Sequence, residues 1–211
     1  MQQTVSHTVN LKIFSLAVAT LAFLIVWAFL THPVAGIDYS AGTYGACTYG
    51  SCSISLTSSG SVSINVAPTA GTTKCTIAGD IVTATTDSST GYTVSLTDTD
   101  TSNTLNGPVS IPADTANPSS PVTLTANTWG YRVDRVAGFG AGPTSTISSG
   151  TIPSLTFAGI PISSDTPGLI RTTTTADTST VDTSVWYGVC ANSSLQNGAY
   201  SDSVTYTAVI N

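Results

Sequence analysis

The chain has 211 residues, of which only 8% are charged, and carries a net charge of -6. Five Lys and Arg set against eleven acidic residues leave no basic patch to neutralise phosphates, so nucleic acid is not an expected partner. Ser and Thr make up about a third of the sequence and every acidic residue is Asp, a composition that favours extended backbone and turns and solvates the surface with hydroxyls instead of ions.

From Ile13 to Leu30 the sequence IFSLAVATLAFLIVWAFL has no charge, and as a helix it reaches about 27 Å, close to the hydrocarbon thickness of a bilayer. The expectation is one N-terminal hydrophobic helix over 13–32, serving as a transmembrane anchor or a signal segment. Lys12 precedes it and the next cation is Lys74, so residues 1–12 are expected in the cytoplasm and everything after the segment on the extracellular face. Retention places the protein at the outer face of the membrane, and cleavage would release it to the cell surface or medium. Residues 33–50, rich in Gly and Tyr, read as a short stalk, and 51–211 supply one domain with a proper core.

The β domain opens with alternation at Cys52, Ile54 and Leu56, a turn at Thr57-Ser58-Ser59-Gly60, and alternation again at Val62, Ile64 and Val66, which predicts a hairpin. A second hairpin is expected from 81–85 and 92–96 around the turn Asp87 to Gly91. Residues 98–121 form a long excursion with turn signals at Asn106-Gly107-Pro108 and Asn117-Pro118. Strand is expected again at 122–124, 129–133, 155–157, 169–175, 185–189 and 200–210, with the last two paired across the turn at 192–198. About nine strands with no helix between them make an all-β, antiparallel two-layer sandwich of Greek-key, immunoglobulin-like type.

Four cysteines, Cys47, Cys52, Cys75 and Cys190, all follow the hydrophobic segment, as in a chain that folds where disulfides persist. Of the three connectivities, a small loop between Cys47 and Cys52 and a long-range staple between Cys75 and Cys190 is favoured. Zinc ligation and buried thiols are the alternatives.

Two stretches carry resemblances. Val185-Trp186-Tyr187-Gly188-Val189, followed by the run from Gln196 to Thr207 with its Gly-x-Tyr-x-Asp-x-Val pattern at Gly198 to Val204, resembles the closing hairpin of exported bacterial surface domains, including the spore coat protein U type. Tyr44-Gly45-Ala46-Cys47, the Ser-Thr-Gly-Tyr-Thr-Val run from Ser89, and Asn127 to Asp134 resemble a family of uncharacterised, membrane-anchored surface proteins of ultrasmall bacteria. The resemblance implies export, a sandwich fold and surface display, and it transfers no catalytic residue. The complete last strand departs from pilus subunits that await a donated strand.

Chemistry is sparse. The two histidines, His7 and His32, flank the hydrophobic segment on opposite sides, so no Ser-His-Asp or Cys-His site is expected in the domain, and Glu is absent as a metal-hydrolase base. Asp134 beside Arg132 and Arg135 is the pair to inspect for Asp-only chemistry, with an exposed charge cluster as the plainer account. Asp98-Thr99-Asp100-Thr101-Ser102-Asn103 begins like a calcium loop but lacks its Gly and Glu. Trp129, Tyr131, Trp186 and Tyr187 could form an aromatic contact surface for a glycan or protein, or simply fill the core. No cofactor, metal or catalytic residue is expected. The expected function is that of a non-enzymatic structural or adhesive surface protein, anchored to the membrane and open to self-association or contact with a host or cell surface. The alternatives are a filament or pilus subunit assembled through strand pairing and a glycan- or protein-binding surface module.

Overall fold

A computed structural model describes residues 52–151 and 154–211, and within them the chain is all-β and antiparallel. The stalk, Cys47 and the hydrophobic segment lie outside the described residues. Ten strands are present: β1 (Ile54–Ser58), β2 (Thr73–Thr86), β3 (Tyr92–Asp98), β4 (Thr104–Leu105), β5 (Ile111–Pro112), β6 (Thr128–Val133), β7 (Ile147–Gly150), β8 (Gly168–Thr172), β9 (Asp177–Asn192) and β10 (Val204–Ile210). The first sheet runs β1-β2-β9-β6, with β7 also paired to β2, and the second runs β10-β3-β8. A short β4-β5 pair stands within the long excursion, with Asn106-Gly107-Pro108 between its strands.

The two-residue period decides how the layers meet. In β2 the residues Thr76, Ala78, Asp80, Val82, Ala84 and Thr86 are buried, and in β3 so are Tyr92, Val94, Leu96 and Asp98. Val82, Ala84, Tyr92, Val94 and Leu96 join Trp129, Tyr131, Val133, Ile170, Val185, Tyr187 and Val189 in one core drawn from both sheets, a sandwich-like arrangement. The opposite face of the first sheet is covered at one end, where Cys75, Ile77, Trp186 and Cys190 pack with Leu124 and Phe157 from loops. Gly188 permits this cover, because a Cβ there would meet the Phe157 ring at 2.7 Å.

Three expected hairpins do not form. Val62, Ile64 and Val66 stay extended and half-buried but carry no sheet partner, while β1 pairs with the far end of β2, Ile54 opposite Thr86. β2 and β3 lie in different sheets, so residues 87–91 carry the chain across the sandwich instead of folding it back. β9 and β10 are likewise divided: β10 pairs with β3, Val204 opposite Asp98 and Ile210 opposite Tyr92, and not with Val185 to Val189. In each case a strand with one apolar face finds the same core whether it neighbours its predecessor or faces it. The stretches 122–124 and 155–157 contribute one bridge, Val122 to Phe157, in place of strands.

Candidate functional site

A groove of about 790 Å³ opens on one side of the molecule, between the segment that follows β1 and the approach to β10. Asp80 anchors the first wall. It sits in the middle of β2 on the inward parity, 2% exposed, and its carboxylate accepts hydrogen bonds from the Ser58 hydroxyl at 2.8 Å and the Ser59 amide at 3.0 Å. The expected turn at Thr57 to Gly60 is therefore a corner tied to β2, with Gly60 at φ +98°. Beyond it Val62, Ile64 and Val66 lean on the core, and the segment is tied down again where the Thr76 hydroxyl donates to the Asn65 carbonyl at 2.6 Å and the Ala67 amide donates to the Ser149 hydroxyl at 2.9 Å.

The floor is apolar, formed by Ile111, Trp129, Tyr187 and Val189. The second wall is β10 and the loop before it. Tyr206 reaches across to Tyr187, their hydroxyls 2.7 Å apart, and burial pushes both hydroxyls well above the ordinary tyrosine value. Asp202 stands on this wall. Its Oδ1 accepts the Ser203 amide at 2.8 Å while its Oδ2 is buried without a partner. Burial first, and the neighbouring Asp98 charge after it, raise its carboxyl to about 6. Asp98 is itself 1% exposed, with an unpartnered Oδ2.

The residues singled out from the sequence are dispersed by the structure. Trp129, Tyr131, Trp186 and Tyr187 are all buried, with Trp129, Tyr131 and Tyr187 in the main core and Trp186 on the opposite face of the sheet, so the four form no exposed platform, although Trp129 and Tyr187 share the groove floor. Their alternation along β6 and β9 places them there. The Trp129 indole still has a polar duty, donating to the Asn103 carbonyl at 2.9 Å. Cys75 and Cys190 stand opposite each other in the β2-β9 register and are joined in a disulfide. Cys52 is disulfide-bonded as well, and Cys47 lies outside the described residues.

Asp134 and Arg132 do not form an acid-base pair. Arg132 is 1% exposed, lies against the Phe139 and Phe157 rings, and donates to the carbonyls of Thr156 and Gly140 at 3.1 and 2.6 Å. Burial lowers its pKa from the ordinary arginine value, the Asp134 charge opposing the effect. Asp134 instead accepts the Gly142 amide at 2.8 Å and holds the loop closed. At 98–103 the carboxylates are spent on backbone, Asp98 accepting from the Asp100 amide and Asp100 from the Ser102 amide. Among the described residues no group of three or more His, Cys, Asp or Glu is placed to hold a metal.

Asp80 and Asp202 are the site residues that the sequence reading missed. Asp80 falls on the core-facing parity of β2 and Asp202 on that of β10 carried two residues back, a visible signal that a short carboxylate would turn inward. Among the described residues the groove thus offers apolar floor, hydroxyl and amide rims, and a strand edge with no ladder partner. It can hold an extended chain, and among the hydroxyls that line it that of Ser58 is bonded to the Asp80 carboxylate. Comparison with protein-family models, with curated proteins and with solved structures finds no match to this chain.

Proposed function

We propose that this protein is a non-enzymatic structural or adhesive protein of the cell surface, its β domain displayed outside the membrane behind the N-terminal hydrophobic segment, N-in and C-out, with an immunoglobulin-like Greek-key sandwich as the displayed unit. The observation that carries the reading is the Cys75–Cys190 disulfide, which staples the two long central strands and belongs in an oxidising compartment. The hydroxyl-rich, weakly charged surface and a groove shaped for an extended chain support contact over catalysis. The groove also favours a protein-binding module over a glycan-binding one, because the unpaired backbone of β10 along its wall suits strand addition.

The test is topological. A protease added to intact cells is expected to remove the chain beyond Thr31 while sparing the first dozen residues, read by immunoblotting with a tag at each end. Protection of the β domain in intact cells, with cleavage after permeabilisation, overturns the assignment.

A further inference from the structure

The pairing of β3 with β10 brings two carboxyls together at one end of the core. Val204 stands opposite Asp98, and the two chains stay side by side beyond that point, where the Thr99 amide donates to the Ser203 carbonyl at 3.0 Å. On the two-residue period Asp98 closes the inward row of Tyr92, Val94 and Leu96, and Asp202 continues the inward row of Val204 and Tyr206. The two side chains are therefore diagonal neighbours on one face of the sheet, within reach of each other.

Each carboxyl spends one oxygen on backbone, the Asp98 Oδ1 accepting the Asp100 amide at 3.0 Å and the Asp202 Oδ1 the Ser203 amide at 2.8 Å. Both Oδ2 atoms are shut in from water and meet no N–H or O–H of another residue among those described, while the two side chains hydrogen-bond each other. A carboxylate oxygen only accepts, so that contact requires a proton on one member of the pair. The charges acting on Asp202 are those of Asp98 and Asp100, both negative, and the ion pair among the described residues lies elsewhere, between Arg171 and Asp177. Asp80 and Tyr187, the ionisable groups that face β10 from the first sheet, act on Tyr206 instead. A calcium ion takes about six to eight oxygens, and no third carboxylate among the described residues is placed to help supply them, whereas a proton needs only two.

We infer that Asp98 and Asp202 share one proton as a latch that fastens the approach to β10 onto the end of β3, closed in acid and released as the pH rises. Asp202 stands between two backbone ties, the reciprocal Ser201 and Asn106 bonds at 2.9 Å and the Thr99 to Ser203 bond. While the proton is held, the bond between the carboxyls closes this corner. When the proton passes to solvent both carboxyls carry charge, and Asp202 relieves the repulsion by turning out to water, which draws Ser201 away from Asn106. Burial first, and the Asp98 charge after it, place the Asp202 carboxyl at about 6, so the latch is fully closed below the ordinary carboxyl value and is lost as the pH passes through about 6. The ladder from Val204 to Ile210 remains, so the release is local. This inference does not rest on the display reading.

The test is hydrogen exchange of the detergent-extracted full chain, read by mass spectrometry and corrected for the intrinsic amide rate at each pH. From about pH 5 to about 7.5, protection in peptides covering 99–106 and 198–203 is expected to fall about tenfold, the change that a carboxyl at about 6 imposes when the released form titrates at the ordinary value. Peptides from the β2 and β9 ladder are expected to stay unexchanged over the same time, the mark of a local opening. Asp202→Asn offers the Asp98 Oδ2 an amide N–H in place of the shared proton, and is expected to keep the corner protected at both pH values. Millimolar calcium at the higher pH is expected to change nothing. Wild-type protection that stays level across the interval overturns the inference, as does a fall that persists in Asp202→Asn or one that the ladder peptides follow in step. Protection restored by calcium overturns it too, because a cation and not a proton would then bridge the carboxyls.

Discussion

At the scale of single residues, two carboxylates on the core-facing parity have opposite effects. Asp80 is engaged by Ser58 and Ser59, so Asp80→Ala strips both contacts from the corner after β1, where the Ser59 amide keeps only the Ile81 carbonyl. The expected loss is about 1–3 kcal/mol, read from the midpoint of urea unfolding. Asp202 is half-buried with its Oδ2 shut in beside Asp98, and its raised carboxyl means that the fold prefers the protonated form. That preference contributes stability fully below the ordinary carboxyl value and is lost as pH rises through about 6. Thermal midpoints are therefore expected to fall between pH 4 and 6.5. Asp202→Asn, which keeps the neutral shape, should flatten that slope and raise the midpoint at pH 7. A wild-type midpoint that rises over the same interval would count against an uncompensated Asp202.

At the scale of elements, the strands were legible in the sequence and their partners were not. Alternation located β2, β3, β6, β8, β9 and β10 and told which side chains face inward, because the period of a strand survives whatever it pairs with. Pairing depends on whether a link folds back or crosses between layers, and residues 87–91 are compatible with both. The groove escaped for the same reason, since the expected β9-β10 hairpin would have closed it. The residues at 62–66 read as a strand on parity alone, yet the backbone at Asn65 and Ala67 is drawn to the Thr76 and Ser149 side chains instead of to a ladder. β10 covers one flank of β3, so deleting residues 200–211 should expose Val94 and Leu96 and unfold or aggregate the domain. A milder change isolates the tie between the layers. Tyr206→Phe removes the bond to Tyr187 and is expected to cost about 0.5–1.5 kcal/mol in urea unfolding, with the fold retained by circular dichroism.

At the scale of the whole molecule, stability depends on joining residues far apart in the chain. β2 and β9, the longest strands, run side by side from Thr73 opposite Asn192 to Thr86 opposite Asp177, with β3 to β8 strung between them in the chain. Every such contact must close a long loop before it contributes, which is costly in chain entropy. The Cys75–Cys190 bond removes much of that cost from the unfolded state, because its cysteines are 115 residues apart and the saving grows with loop length. On the chain-entropy scale a loop of that size is worth about 5 kcal/mol, with measured losses for native disulfides of about 2–5 kcal/mol. That is a large share of the roughly 5–15 kcal/mol that holds an ordinary domain folded. The double variant Cys75→Ala, Cys190→Ala keeps the disulfide at Cys52 and should shift the urea midpoint down by an amount matching 2–5 kcal/mol, if it folds at all. The slope of unfolding free energy against urea should rise with it, because an unfolded chain freed of its cross-link exposes more surface. A midpoint unchanged in the double variant would show that β2 and β9 hold each other without the staple. The oxidising compartment would then be irrelevant to the fold.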